Sequence, residues 1–300
     1  MASVLKAGDN GSLTAGFGPN LAWAQINSYY FLIALFVHQF LSPLDAATAA
    51  YESGAHSLVD GAHAGWMGWV LLRNMTLGNL VYGLWHHLMY VKFTVPLEDK
   101  FNKRLPAESQ HARDRFWSNS GFVIGSLFEI GMTHLYASGR IDYYSDLAAH
   151  PLRMATLLVL AWFWSDVHFY FVHRFMHPTF PGKGKSPIGF DPGRILYKCA
   201  HYLHHRSYNP GPWSGLAMHP IEHLIYFTRG VSACFVTYHH PVIFLFYNLR
   251  AMLGPAPGHH GFPGMGGSRY HWLHHATFEC NYGTSLVVPM DHLMGTFKEG

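Results

Sequence analysis

Three short runs of histidine in this sequence could do chemistry. His173 and His177 stand at i and i+4. His201, His204 and His205 form an H-x-x-H-H run, and His271, His274 and His275 repeat it. On a helix, residues three and four apart share a face. The three runs would therefore present eight imidazoles, more than one metal ion can use and suited to two. Imidazole binds iron, copper and zinc alike, so ligand type alone leaves the metal open. A lone i,i+4 pair is usually an accident of a helix surface, but two identical triplets beside a pair are not.

Other chemistries fit less well. Haem needs one axial histidine from each of two helices, which leaves the triplets unexplained. A zinc hydrolase would carry H-E-x-x-H or a nucleophile elbow, and neither is present. Cys199, Cys234 and Cys280 are far apart and show no C-x-x-C spacing, so neither a disulfide framework nor a thiolate site is indicated. A formal net charge of +3 without a long basic stripe gives no reason to expect nucleic acid. Carboxylates usually orient metal-ligating histidines, and Asp166, Glu222 and Asp291 are the candidates.

The elements that must position these side chains read as membrane helices. Charged residues make up 12% of the chain and hydrophobic ones 49%, against roughly 25% charged in a soluble domain. Four segments suit the ~20 residues that cross a bilayer: 21–41, 65–91, 120–137 and 154–172. Arg73, His86, His87, Glu129 and Asp166 interrupt them, which suits a bundle with a polar interior. Residues 42–63 hold no Lys or Arg, 92–118 hold six, 138–153 hold two offset by acids, and the stretch after 172 is rich again. That alternation follows the positive-inside rule. It predicts both termini and all the histidine runs on the cytosolic side. Residues 1–20 read as a flexible terminus, 21–300 as a single membrane domain, and 178–193 as a loop. The apolar stretch 221–253, broken at His239-His240-Pro241, reads as a helical hairpin that dips into the membrane and returns.

Several residues keep two readings. His168, five before His173, is rotated off the ligand face and suits an interhelical contact better than a ligand role. His219 before Pro220 is either a helix start or an additional ligand or orienting group. Arg73 and Asn74 either line a cavity or precede the second span. His86 and His87 suit an interfacial belt. Trp213-Ser214-Gly215 either shapes a substrate mouth or is a turn. The sequons at Asn10 and Asn74 are weak signals.

The run D-x-x-x-Y-x-x-H-R-x-x-H from Asp166 to His177 resembles the fatty-acid hydroxylase superfamily, in its sterol desaturase branch. So do L-Y-K-x-x-H-x-x-H-H from Leu196 to His205, H-P-x-E from His219 to Glu222, and H-x-x-H-H-x-x-F-x-x-N-Y-G from His271 to Gly283, followed by Asp291 and Gly295-Thr296. The resemblance covers residues 166–297. It implies an all-α membrane bundle of about four transmembrane helices under a cytosolic histidine-rich cap. It also implies two iron ions, O₂, and electrons from NAD(P)H through cytochrome b5 or a similar donor. It adds a ninth ligand between the second and third runs, His259 in register, with His260 competing. The expected metal set is thus His173, His177, His201, His204, His205, His259, His271, His274 and His275.

The implied activity is oxidation of a membrane lipid, with a sterol or related isoprenoid first, in the manner of sterol C-5 desaturases. The alternatives are 4-methylsterol oxidation, fatty-acyl or sphingoid hydroxylation, and epoxidation of a sterol precursor. From another class stands a haem- or metal-binding electron-transfer protein. The implied location is the endoplasmic reticulum in a eukaryote and the inner membrane in a bacterium. Two departures from the pattern, a longer loop at Pro178–Gly193 and one additional residue between Gly283 and Asp291, fall where a substrate head group could bind.

Overall fold

The computed structural model describes residues 21–179, 189–264, 268–283 and 288–299. The expected flexible terminus, most of the 178–193 loop and the residues just after Gly283 lie outside them. The described residues are helical, with no strand among them.

The long helices are α1 (Leu21–Leu41), α2 (Leu44–Glu52), α3 (Ala64–His86), α4 (Glu108–Ala137) and α5 (Pro151–Phe175). A π-helical turn, His87–Val91, prolongs α3. α1, α3 and α5 coincide with three expected spans. α4 begins twelve residues before its expected start at 120, because its first three turns are polar (ESQHARDRFWSNS) and carry no hydropathy signal. Among the described residues α5 alone is long and apolar enough to cross a membrane by composition, and α1 with α2, bent by 41°, passes as a joined pair. α3 and α4 fall short of that test. Each carries charge at mid-helix.

That charge is paired. Arg73 of α3 forms a buried ion pair with Glu129 of α4, and Asn74 Nδ2 donates to Glu129 Oε2 at 2.9 Å. Both earlier readings of Arg73 and Asn74 are thereby corrected: the helix starts nine residues before Arg73, and the two residues bolt α3 to α4. Asn74 is wholly buried, which removes its sequon as a glycosylation site.

After α5 come the short α6 (Pro192–Leu196), a π turn (Tyr197–His201), α7 (Tyr202–His205) and a 3₁₀ turn (Pro212–Leu216). Then follow α8 (Pro220–Cys234), α9 (Pro241–Leu253), α10 (Pro255–Gly258), α11 (Arg269–Thr277) and α12 (Met290–Leu293). The expected break at His239-His240-Pro241 separates α8 from α9. Both helices start alike, with a histidine cap and proline at the first position. His219 Nδ1 accepts from Ile221 N, and His240 Nδ1 from Val242 N, each at 3.2 Å. Every residue of α9 is buried. It is the central post of the bundle, against which α1, α4 and α8 pack. Phe244, Phe246, Leu249 and Leu253 supply much of that core, and each such side chain contributes roughly 1.5–3 kcal/mol when fully buried.

Candidate metal centre

α5, the π turn with α7, and α11 bring their histidines to one end of the bundle. The nine histidines expected as ligands converge there as two clusters. His173, His177, His201, His205 and His274 form the first, and His204, His259, His271 and His275 the second. Within each cluster the ligand-capable nitrogens lie within 4.8 Å of one another, and all nine residues are buried.

Each triplet is divided between the clusters. His201 and His205 serve the first and His204 the second; His271 and His275 serve the second and His274 the first. Shared helix faces suggest that each run stays together. The structure instead stands α7 and α11 beside the seam. Residues i and i+4 then point to one side and i+3 to the other.

The hydrogen bonds fix which nitrogen is free. His173 Nδ1–H donates to Tyr282 O and His274 Nδ1–H to Cys280 O, both at 2.6 Å. His201 Nδ1–H donates to Glu222 Oε1 at 2.7 Å, and His259 Nδ1–H to Pro255 O at 2.9 Å. A neutral imidazole with its proton on Nδ1 presents a lone pair on Nε2. In the first cluster the Nε2 atoms are pressed together: His173–His201, both with the proton held on Nδ1, at 3.1 Å, then His201–His177 at 2.9 Å, His201–His205 at 3.0 Å and His205–His274 at 3.1 Å. In the second cluster His259 and His271 approach to 2.8 Å. Where two lone pairs face one another, as in His173–His201, they repel unless a cation lies between them.

The spacing also speaks to geometry. With metal–nitrogen bonds of about 2.1 Å, donors at right angles sit about 3.0 Å apart and tetrahedral donors about 3.4 Å. The short edges of the clusters, 2.8–3.1 Å, are within the span that donors to a shared metal ion occupy. The residues present therefore fit two metal ions of the kind the resemblance implies.

Burial favours the neutral form of most of these imidazoles. It pushes the imidazoles of His177, His204, His205, His271 and His275 well below their ordinary range, with neighbouring imidazoles adding to the effect. Burial likewise takes His259 to about 4 and His274 to about 3. A ligand that binds metal through a lone pair is thereby ready near neutral pH.

Of the three carboxylate candidates, Glu222 touches a ligand directly. Asp291 acts at one remove: it accepts from Tyr282 N at 2.8 Å, Gly283 N at 2.7 Å and Thr296 Oγ1 at 2.7 Å. It thus holds the loop whose Tyr282 carbonyl receives His173. Asp166 accepts from Val288 N at 3.3 Å and faces Arg250 at 3.9 Å. The carbonyls of Pro255, Cys280 and Tyr282 escape any residue-type reading. A partial signal was available at Asn281, a residue that tolerates left-handed backbone. Asn281 (φ 54°) and Phe278 (φ 69°) both adopt it, and the resulting curl turns the two carbonyls of this loop toward the histidines.

The remaining candidates fall outside the clusters. His168 pairs with Thr228 Oγ1 at 3.0 Å, the interhelical contact expected of it. His219 caps α8. His260 stacks on Trp85 (5.4 Å between ring centres), so His259 is the register choice. His87 is exposed, whereas His86 stacks on Tyr90 and packs against the tilted ring of His111. His86, His111, Trp213 and Ser214 line a half-open cleft of about 250 Å³. Asp114 at its floor accepts from Ser214 Oγ at 2.7 Å and Ser207 Oγ at 2.8 Å. Trp213-Ser214-Gly215 thus borders a cleft as well as forming a turn.

Residues 158–296 match the sequence model of the family described as fatty acid hydroxylase. Over this stretch the chain is similar to the fatty acid hydroxylase superfamily. The match spans the end of α5 and all nine clustered histidines. Among its relatives, the human lathosterol oxidase is 25% identical over 184 residues, covering 58% of this chain and 56% of that protein. The Delta(7)-sterol 5(6)-desaturase ERG3A of Gibberella zeae is 28% identical over 142 residues, covering 45% and 35%. The sphinganine C4-monooxygenase 1 of Arabidopsis thaliana is 29% identical over 158 residues, covering 49% and 55%. Against these three the matched stretch spans between a third and just over half of the relative's own length. No solved structure matches the chain.

Proposed function

We propose that this chain is a membrane-embedded, O₂-dependent lipid oxidoreductase built on two iron ions, and that its substrate is a sterol or a related isoprenoid. The observation that carries the reading is the convergence of nine buried histidines as a set of five beside a set of four. His173, His177, His201, His205 and His274 would hold one ion, and His204, His259, His271 and His275 the other. The metal pair would supply the oxidising power, with O₂ as co-substrate and with electrons from NAD(P)H through cytochrome b5 or a similar donor.

The chain's own residues supply the setting. Glu222 and the carbonyls of Tyr282, Cys280 and Pro255 hold imidazole protons on Nδ1 and aim Nε2 inward. Burial excludes water, which would otherwise consume reactive species or carry protons to them. Tyr282 closes one wall of the first cluster, its ring 4.9 Å from that of His177 and 5.3 Å from that of His274, with the Arg174 guanidinium over that ring, 5.0 Å from its centre. The four-span arrangement, with the histidine end on the cytosolic side, belongs to the same proposal. It is supported by α5, by the bent pair α1–α2 and by the Lys/Arg alternation.

The sterol desaturase and lathosterol oxidase relatives favour a sterol. The sphinganine relative, of comparable identity, favours long-chain hydroxylation as the second reading. Expression in cells lacking sterol C-5 desaturase, with sterols and sphingoid bases read by mass spectrometry, separates them. A new sterol double bond supports the first reading. Unchanged sterols beside newly hydroxylated long-chain bases support the second. Purified protein without bound iron, or with one haem per chain, refutes the di-iron assignment.

A further inference from the structure

Arg229 on α8 and Arg250 on α9 lie apart from the histidine clusters, and both are buried, at 4% and 9% exposure. Among the described residues, Asp166 of α5 is the carboxylate in ion-pair reach, 3.9 Å from Arg250 Nη2. Arg229 lies over the face of the Tyr226 ring, 5.2 Å from its centre. Among the described residues its Nε and Nη2 atoms are enclosed and have no hydrogen-bond partner.

The charge count does not close. The two guanidiniums are close enough to repel one another, the one carboxylate in ion-pair reach serves Arg250 from beyond hydrogen-bond distance, and a guanidinium does not shed its proton in a protein. An enclosed water could accept from Arg229 but would leave the additional positive charge in a medium of low dielectric, where unpaired charge is most costly. An anion answers both needs. The planar fork of a guanidinium matches the two oxygens of a carboxylate.

We propose that Arg229 and Arg250 form a binding site for one carboxylate between α5, α8 and α9. The carboxylate belongs either to a small free acid or to the head of an acid-headed lipid. The second source has a structural attraction: Tyr226 contacts Phe169 (6.2 Å between ring centres), and Phe169 contacts His173 (5.2 Å). A lipid anchored by its head at Arg229 would start two aromatic rings from the first histidine cluster. The site stands on the arginines alone and does not depend on the metal assignment.

The test is thermal unfolding of the purified full chain in detergent, titrated at constant ionic strength with sodium acetate, sodium octanoate or octanol. A saturable rise in Tm of about 5 °C is expected at a hundredfold excess over half-saturation. The rise should vanish in Arg229→Gln and survive in part in Arg229→Lys. A rise with both acids assigns a free carboxylate, and a rise with octanoate alone assigns an acid-headed lipid. Equilibrium binding of labelled octanoate to the wild-type chain, one per chain and independent of octanol, gives the same reading without a variant. The proposal is overturned if neither acid moves the wild-type Tm, if Arg229→Gln responds as the wild type does, or if octanol matches octanoate.

Discussion

Glu222 is where a single change separates an organised metal centre from a mere gathering of histidines. Its Oε1 accepts from His201 Nδ1 at 2.7 Å, and both side chains are 1% exposed. Glu222→Ala leaves that Nδ1–H buried without an acceptor, a penalty of about 1–3 kcal/mol. It also frees the ring to rotate and lets the proton move to Nε2, where it would block the donor atom. Removing the hydrogen-bond partner of a ligating histidine typically lowers metal affinity about 10- to 100-fold, equivalent to roughly 1.4–2.7 kcal/mol. Glu222→Gln keeps an acceptor and loses only the charge assistance, about 1 kcal/mol or roughly fivefold. The expected order of iron affinity is wild type, then Gln, then Ala. The assay is competition with a calibrated chelator on purified protein, with metal content read by mass spectrometry and folding checked by thermal unfolding. The Ala loss should fall on the five-histidine cluster, so the chain retains about one iron while losing the other. Wild-type affinity at both sites in Glu222→Ala would refute the claim that this carboxylate sets the His201 tautomer.

Three further outcomes follow from the same geometry. In Gly215→Ala the new methyl would lie 2.4 Å from the Pro255 carbonyl oxygen, the atom that receives His259 Nδ1–H. Metal analysis should show loss at the four-histidine cluster with the first retained, and a variant with full metal content would sink this reading. Arg73→Met should lower stability by about 3–5 kcal/mol by leaving Glu129 buried and unpaired. Arg73→Met with Glu129→Met should recover most of that in chemical denaturation, and a double variant no better than the single would contradict it. The metal-free chain should lose stability in mild acid. The unfolded imidazoles protonate near 6.5, whereas the folded His259 and His274 resist to about 4 and about 3. The unfolded state therefore binds more protons across that window. Their contribution is complete above about 6.5 and declines as pH falls toward 3. A flat stability profile from pH 7 to 5 would contradict the burial argument.

The family match falls on residues 158–296, where the histidine runs lie, and those runs were legible in the sequence because ligand chemistry demands particular residue types at helical spacing. The helices α1 and α5 were legible from hydropathy. So were the break before α9 and the two His-Pro helix starts, since proline acts on the backbone locally. The start of α4 was hidden, because a polar helix face in contact with other protein looks like a loop to any measure of hydropathy. The pairing of Arg73 with Glu129, 56 residues apart, was equally hidden, since each residue read alone is only an interruption of a span. The division of each triplet between two clusters depends on where α7 and α11 stand relative to the seam, and residue spacing does not contain that. The carbonyls that orient His173, His259 and His274 belong to every residue type and so leave no mark in a sequence. They become specific only when the left-handed turns at Phe278 and Asn281, and the anchor at Asp291, bring them within hydrogen-bond reach. The sequence determined which atoms could bind metal, because that is a property of side chains. The tertiary structure decided which of them face one another and which nitrogen each presents, because those are relations between helices distant in the chain.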